Sequence, residues 1–253
     1  MRISLGDGCT ATVTGDPLRL APRFDIGDFR IRVAPYADAA ERGRFIAEAF
    51  GSRPWLWDTP DELWFDRTGR DLAAAEFQLP GVEAAAPEDT ARLPATPPVR
   101  PGGLHADEAA DCHLEVTSEL LRAPGDTALT CLRDLDVLDA PLEARIGIAP
   151  NLALLVQEGE VVGWSLTDPA RHVTTGFAAP SAEPPAPATR RAFTACLDIL
   201  TTPVFDRVRA ADPAALSALR ALHHALRTQR DDRHRAEALL VFTGGLLEDH
   251  GGE

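Results

Sequence analysis

Lysine is absent from all 253 residues, so every one of the 25 basic side chains is an arginine. With abundant alanine, proline and leucine, that absence marks GC-rich coding of a bacterial kind, and arginine here carries less functional weight than usual. Positive net charge is lacking as well. The formal balance of −14 at pH 7 disfavours nucleic acid and anionic membrane as partners. No apolar run approaches the roughly 18 residues a membrane helix needs. The opening MRISLGDGCTATVTGDP has no signal-like apolar core, and a cytoplasmic location is expected. Only four cysteines occur, Cys9, Cys112, Cys131 and Cys196, without a C-x-x-C pair. They read as reduced, buried thiols, and a cysteine-rich zinc site is set aside. Walker A, G-x-G-x-x-G and H-E-x-x-H patterns are missing too. No cofactor and no metal are therefore expected.

What remains is the composition of an ordinary globular protein, 45% hydrophobic and 25% charged. A chain of this length buries roughly 70–75% of its unfolded surface, enough for a core without disulfide or metal. Two proline-rich stretches, within 81–103 and 178–188, lack apolar periodicity and read as linkers or long loops. They leave an N-terminal α+β unit over 1–80, an antiparallel β region over 104–177 and C-terminal helices over 189–253.

In the first portion, FRIRVAP alternates as a half-buried strand does, ADAAERGRFIAEAF has helical periodicity, and ELWFD-RTGR-DLAAAEFQLP predicts a hairpin turning near Gly69. In the second, CHLEVTSELL and TALTCLRDL alternate, and LALLVQEGEVVGWSLT predicts a hairpin turning at Glu158 and Gly159. In the third, Phe193, Leu197 and Leu200 fall at helical spacing, Pro203 opens a short helix, and Asp212 before Pro213 is a helix start. A break over Thr228 to Asp232 predicts two antiparallel helices. The fold class expected is α+β, mostly antiparallel, with a strand–helix–hairpin unit first and helices last.

Three groups of residues carry chemistry. His113 and Glu115 in CHLEV form H-x-E, half of a zinc-deaminase signature, without the P-C-x-x-C that completes it. On an alternating strand both share a face with Thr117, which either meets solvent or lines a ligand cavity. HHALRTQRDDRHRAE places His223 and His234 on two helices that turn back on one another; capped helix starts and solvated ion pairs are the alternative reading. RPWLWDTPDELWF gathers Trp55, Trp57 and Trp64 beside Asp58, Asp61 and Glu62, either a core anchor or an aromatic surface rimmed with carboxylates. Ser165 in GWSLTDPARH lacks the final glycine of a G-x-S-x-G elbow.

Two functions fit. In the first, the acidic chain is an immunity, inhibitor or accessory protein that binds a basic or aromatic-recognising partner protein or peptide through Trp55, Trp57, Trp64, Asp58, Asp61 and Glu62. In the second, it is a cofactor-independent tailoring enzyme of secondary metabolism, a cyclase, isomerase or hydrolase acting on a small molecule with His113, Glu115, His223 and His234 as acid and base.

Overall fold

The computed structural model describes residues 1–6, 8–52, 61–80, 85–93 and 97–251. In chain order these form β1 (Arg2–Ser4), β2 (Thr10–Val13), β3 (Arg23–Asp25), β4 (Arg30–Val33), α1 (Ala39–Glu48), β5 (Ala49–Gly51), β6 (Glu62–Asp66) and β7 (Leu72–Gln78). There follow α2 (Pro87–Arg92), β8 (Val99–Pro101), β9 (Leu104–Ala106), β10 (Glu119–Arg122), β11 (Ala128–Leu132), β12 (Ala144–Ala149), β13 (Leu152–Gln157), β14 (Glu160–Thr167) and β15 (Val173–Thr174). Four helices end the chain: α3 (Pro187–Leu200), α4 (Val204–Arg209), α5 (Pro213–Thr228) and α6 (Arg233–His250). The class is α+β, as the sequence pattern predicts. Both sheets are mostly antiparallel, with parallel pairing at β1–β14, β8–β12 and β15–β3.

The first sheet runs β8-β12-β13-β14-β1-β2-β9, and β11, carrying β10, also pairs with β14. The second runs β15-β3-β4-β7-β6-β5. The N-terminal portion thus contributes to both sheets. Strand alternation sorts the side chains. Leu152, Leu154, Val156, Trp164 and Leu166 of the first sheet meet Phe24, Ile31, Val33, Leu63 and Phe77 of the second in one core, which α3 and α6 extend through Phe193, Leu197, Leu239 and Phe242. The rings of Phe77 and Trp164 lie 5.4 Å apart and join the two sheets.

The faces turned away from this core are covered too. Leu121, Leu132, Leu155 and Val162 pack under the segment around Val137, and Trp64, Ala74 and Tyr36 pack against Phe45 and Ile46 of α1. The strand in FRIRVAP is therefore not half-buried. Ile31 and Val33 face the core, but Arg32 on the other face is only 5% exposed. In the first proline-rich stretch, α2 lies against β10 and β8 pairs with β12.

A second difference concerns CHLEVTSELL, which is strand only from Glu119. The Cys112 N–H donates to the Gly51 carbonyl of the second sheet, whereas the Ser118 N–H donates to the Leu132 carbonyl of the first. The segment between crosses from one sheet edge to the other and joins neither ladder. Its alternation fails accordingly: Val116 is exposed and Thr117 is buried.

Candidate functional site

Trp55, Trp57 and Asp58 lie outside the described residues. The rest of their cluster is not a surface. Trp64 is 3% exposed and its indole N–H donates to Glu62 at 3.2 Å. Glu62 and Glu76, opposite one another on β6 and β7, share one buried charge network under α1. Arg42 of α1 reaches Glu76 at 2.6 Å and Glu62 at 2.9 Å; Arg30 and Arg32 approach Glu76 at 3.3 and 3.6 Å. Burial and the neighbouring Glu76 push the Glu62 carboxyl up, against Arg42 and Arg30. Burial works on Glu76 in the same direction, yet hydrogen bonds from Arg42 and Tyr36 hold it below its ordinary value. With its charges paired and covered, this network is a clamp that docks α1 on the sheet.

Asp61, one residue earlier, turns the other way. It is 3% exposed, and its carboxylate accepts the Gln78 N–H at 2.8 Å and stands 3.5 Å from the Thr117 hydroxyl. Together with Trp164, Phe77, Thr117 and Leu154 it lines a cavity of about 210 Å³, at whose mouth stand Glu115, Arg133 and Glu160. Burial pushes the Asp61 carboxyl up to about 7, overriding the Gln78 N–H, the Trp164 N–H, the Thr117 hydroxyl and the charge of Arg30. Burial, and then the charge of Asp61, also raise the Cys131 thiol well above its usual range.

The cavity exists because the first sheet forks. Along one edge β14 pairs with β11 over Gly163 to Thr167 and with β1 only at Glu160. The Arg133 N–H still donates to the Val162 carbonyl and the Ser4 N–H to that of Gly159, and between them the two partners part at Val161. Two glycines permit the close approaches around it. A Cβ on Gly163 would stand 2.1 Å from the Cys131 carbonyl oxygen, and one on Gly6 (φ +92°) 2.3 Å from that of His113. The indole of Trp164 borders the same space, with its N–H on the side of Asp61.

Glu115 is thus a mouth residue, paired with Arg133 at 2.9 Å, and Thr117 lies deep, not on a shared face with it. His113 is half-buried in the crossing segment. The other two histidines are not brought together as a site. His223 Nδ1 is 3.1 Å from the Thr243 hydroxyl, while His234 is exposed near the start of α6. In the same stretch the buried residue is Arg235, which donates to the carbonyls of Arg171, Ser181 and Glu183 and pairs with Asp232 at 2.8 Å. Asp232 precedes α6 without a side-chain cap. Among the described residues no three His, Cys, Asp or Glu side chains are grouped to hold a metal ion.

Sequence reasoning missed Trp164, Phe77 and Arg133. Trp164 follows Gly163 in an ordinary alternating strand, and only the opposite sheet sets its indole against Phe77 at the cavity. No protein-family model matches the chain, and no curated protein or solved structure is significantly similar to it. No helix among the described residues is long and apolar enough to cross a membrane.

Proposed function

We propose that the chain acts on a small molecule taken up at the Asp61 cavity, with Asp61 as hydrogen-bond and proton acceptor. The observation that carries this reading is a buried carboxylate lining a cavity between two sheets, with charged groups at its mouth. Such a group exchanges a proton near neutrality, where acid–base catalysis is most efficient. The reading moves the acid–base function expected of His113, His223 and His234 to Asp61, with Glu115 at the entrance, and requires no cofactor. Its setting is cytoplasmic, where the buried thiols of Cys112, Cys131 and Cys196 stay reduced. Soaking crystals with a fragment library of mixed charge tests it. Fragment density against Asp61 is the expected result; fragments elsewhere with this cavity empty would overturn it.

A second reading, binding of a partner protein, is favoured by a groove of about 530 Å³ beside α6. Phe29, Phe242 and Leu246 line it with Asp25, Asp28 and Asp249, and Val241 on its wall is 65% exposed. Acidic groups around an apolar groove match a cationic amphipathic segment. A peptide with one leucine face and one arginine face should bind and be lost on Val241→Arg. Unchanged binding by that variant would rule the groove out.

A further inference from the structure

The chemistry of the Asp61 cavity narrows what it can take, an inference that rests on the cavity being the functional site. We infer that its ligand is a compact organic cation, a guanidinium or ammonium, whose positive end meets Asp61 while its body lies against Trp164 and Phe77.

Four observations converge. The first is unspent acceptor capacity. An ionised carboxylate offers about four lone-pair sites; Asp61 receives the Gln78 N–H at 2.8 Å, the Thr117 hydroxyl only at 3.5 Å and the Trp164 N–H beside them, which leaves acceptor capacity free. The second is the charge of the entrance. Arg133 is shared among Glu115 at 2.9 Å, Asp134 at 3.2 Å and Glu160 at 3.6 Å. Two carboxylates of the mouth, with Asp134 beside them, to one guanidinium leave the entrance negative, and Arg133 is the one cationic side chain among the described lining residues. An anion would be repelled there and a cation drawn in.

The third is the wall. Trp164 and Phe77 both line the cavity, and aromatic faces attract a desolvated cation. The fourth is size. A volume of about 210 Å³ equals roughly seven waters, which suits a guanidinium or amine head and not a nucleotide or sugar chain. A free metabolite and the tip of a partner's arginine or lysine present the same chemistry.

A cation beside Asp61 favours its ionised form, so affinity should rise with pH and level off above about 7. The charged and titratable groups around Asp61 are Arg30, Cys131, Glu115, Arg133 and Glu160, with His113 on the crossing segment. Burial holds the Cys131 thiol in its protonated form over this range. A His113→Gln control separates Asp61 from the neighbouring imidazole.

The test follows the indole N–H resonance of Trp164 by NMR, assigned with Trp164→Phe, during titration with methylguanidinium or with N-methylurea, its neutral isostere. Methylguanidinium should bind at least tenfold more tightly than N-methylurea. Its affinity should rise about tenfold from pH 6 to pH 8, with the rise retained in His113→Gln. Asp61→Asn should abolish both effects. Should that variant fail to fold, the Glu115→Gln/Glu160→Gln double variant, altered only at exposed side chains, should weaken the cation severalfold and leave N-methylurea unchanged. A short arginine peptide binding tenfold more tightly than methylguanidinium assigns the cation to a partner protein; equal or weaker binding assigns it to a free metabolite. N-methylurea binding as tightly as methylguanidinium would overturn the cationic class and leave the cavity as a site. Failure of every probe here and of every fragment in the crystals would overturn both.

Discussion

Asp61 costs the fold stability at neutral pH. Its carboxyl stands at about 7 in the fold against an ordinary 3.8, so between those values the folded chain holds a proton that the unfolded chain has lost. Stability from this group therefore falls as pH rises from about 4 to about 7 and is level above that. The difference amounts to about 4 kcal/mol. Asp61→Asn keeps an oxygen for the Gln78 N–H and removes the charge. In urea titrations it should be near neutral at pH 4.5 and stabilising by about 2–4 kcal/mol at pH 8; a gap independent of pH would contradict the buried carboxylate. Arg235 is the opposite case. Fully buried, it is held by Asp232 and by the carbonyls of Arg171, Ser181 and Glu183. Arg235→Met leaves Asp232 uncompensated and should cost about 3–5 kcal/mol, with faster proteolysis between 178 and 186. A denaturation midpoint within error of the parent's would show that these contacts carry no weight.

Helices and hairpins were legible where periodicity and caps act locally. Asp212 caps α5 through the Ala215 N–H, Asp38 caps α1 through Glu41, and Glu158 and Gly159, both at positive φ, turn β13 into β14. The crossing segment from Cys112 to Ser118 was misread because its alternation resembles a strand while its hydrogen bonds go to two different sheets. Gly163 is the element-scale counterpart. Placing it opposite Leu132 on β11 requires the absence of a Cβ. Gly163→Ala should cost about 2–3 kcal/mol and speed amide exchange in β11 while leaving β12 protected. Protection unchanged in β11 would mean that strand pairing does not depend on this approach.

The whole molecule is joined by one core that draws on the N-terminal, middle and C-terminal portions together. Phe77 against Trp164 and Phe24 against Phe193 tie portions far apart in sequence. Unfolding should accordingly be a single transition, with helical circular dichroism and tryptophan fluorescence coinciding in urea. Two separated transitions would show that the C-terminal helices melt on their own. The net charge of −14 acts at this scale as well. Self-repulsion should make the chain modestly more stable at 0.3 M salt than at 0.02 M, measured as the melting temperature.

Periodicity of two or 3.6 residues, turn glycines and helix caps are local properties, and from them the sequence by itself determined the α+β class, the hairpins at Gly69 and Gly159 and the break between α5 and α6. Burial of polar groups is not local. Asp61 and Glu62 are neighbours in the chain, yet one lines the cavity and the other lies beneath α1, because successive strand residues point to opposite faces and tertiary packing alone decides what covers each face. Sequence spacing placed His223 and His234 within reach of each other; packing set His223 beside Thr243 and left His234 in solvent. The fork of β14 between β11 and β1, which makes the cavity, depends on pairing between segments over a hundred residues apart. No pattern within either segment records it.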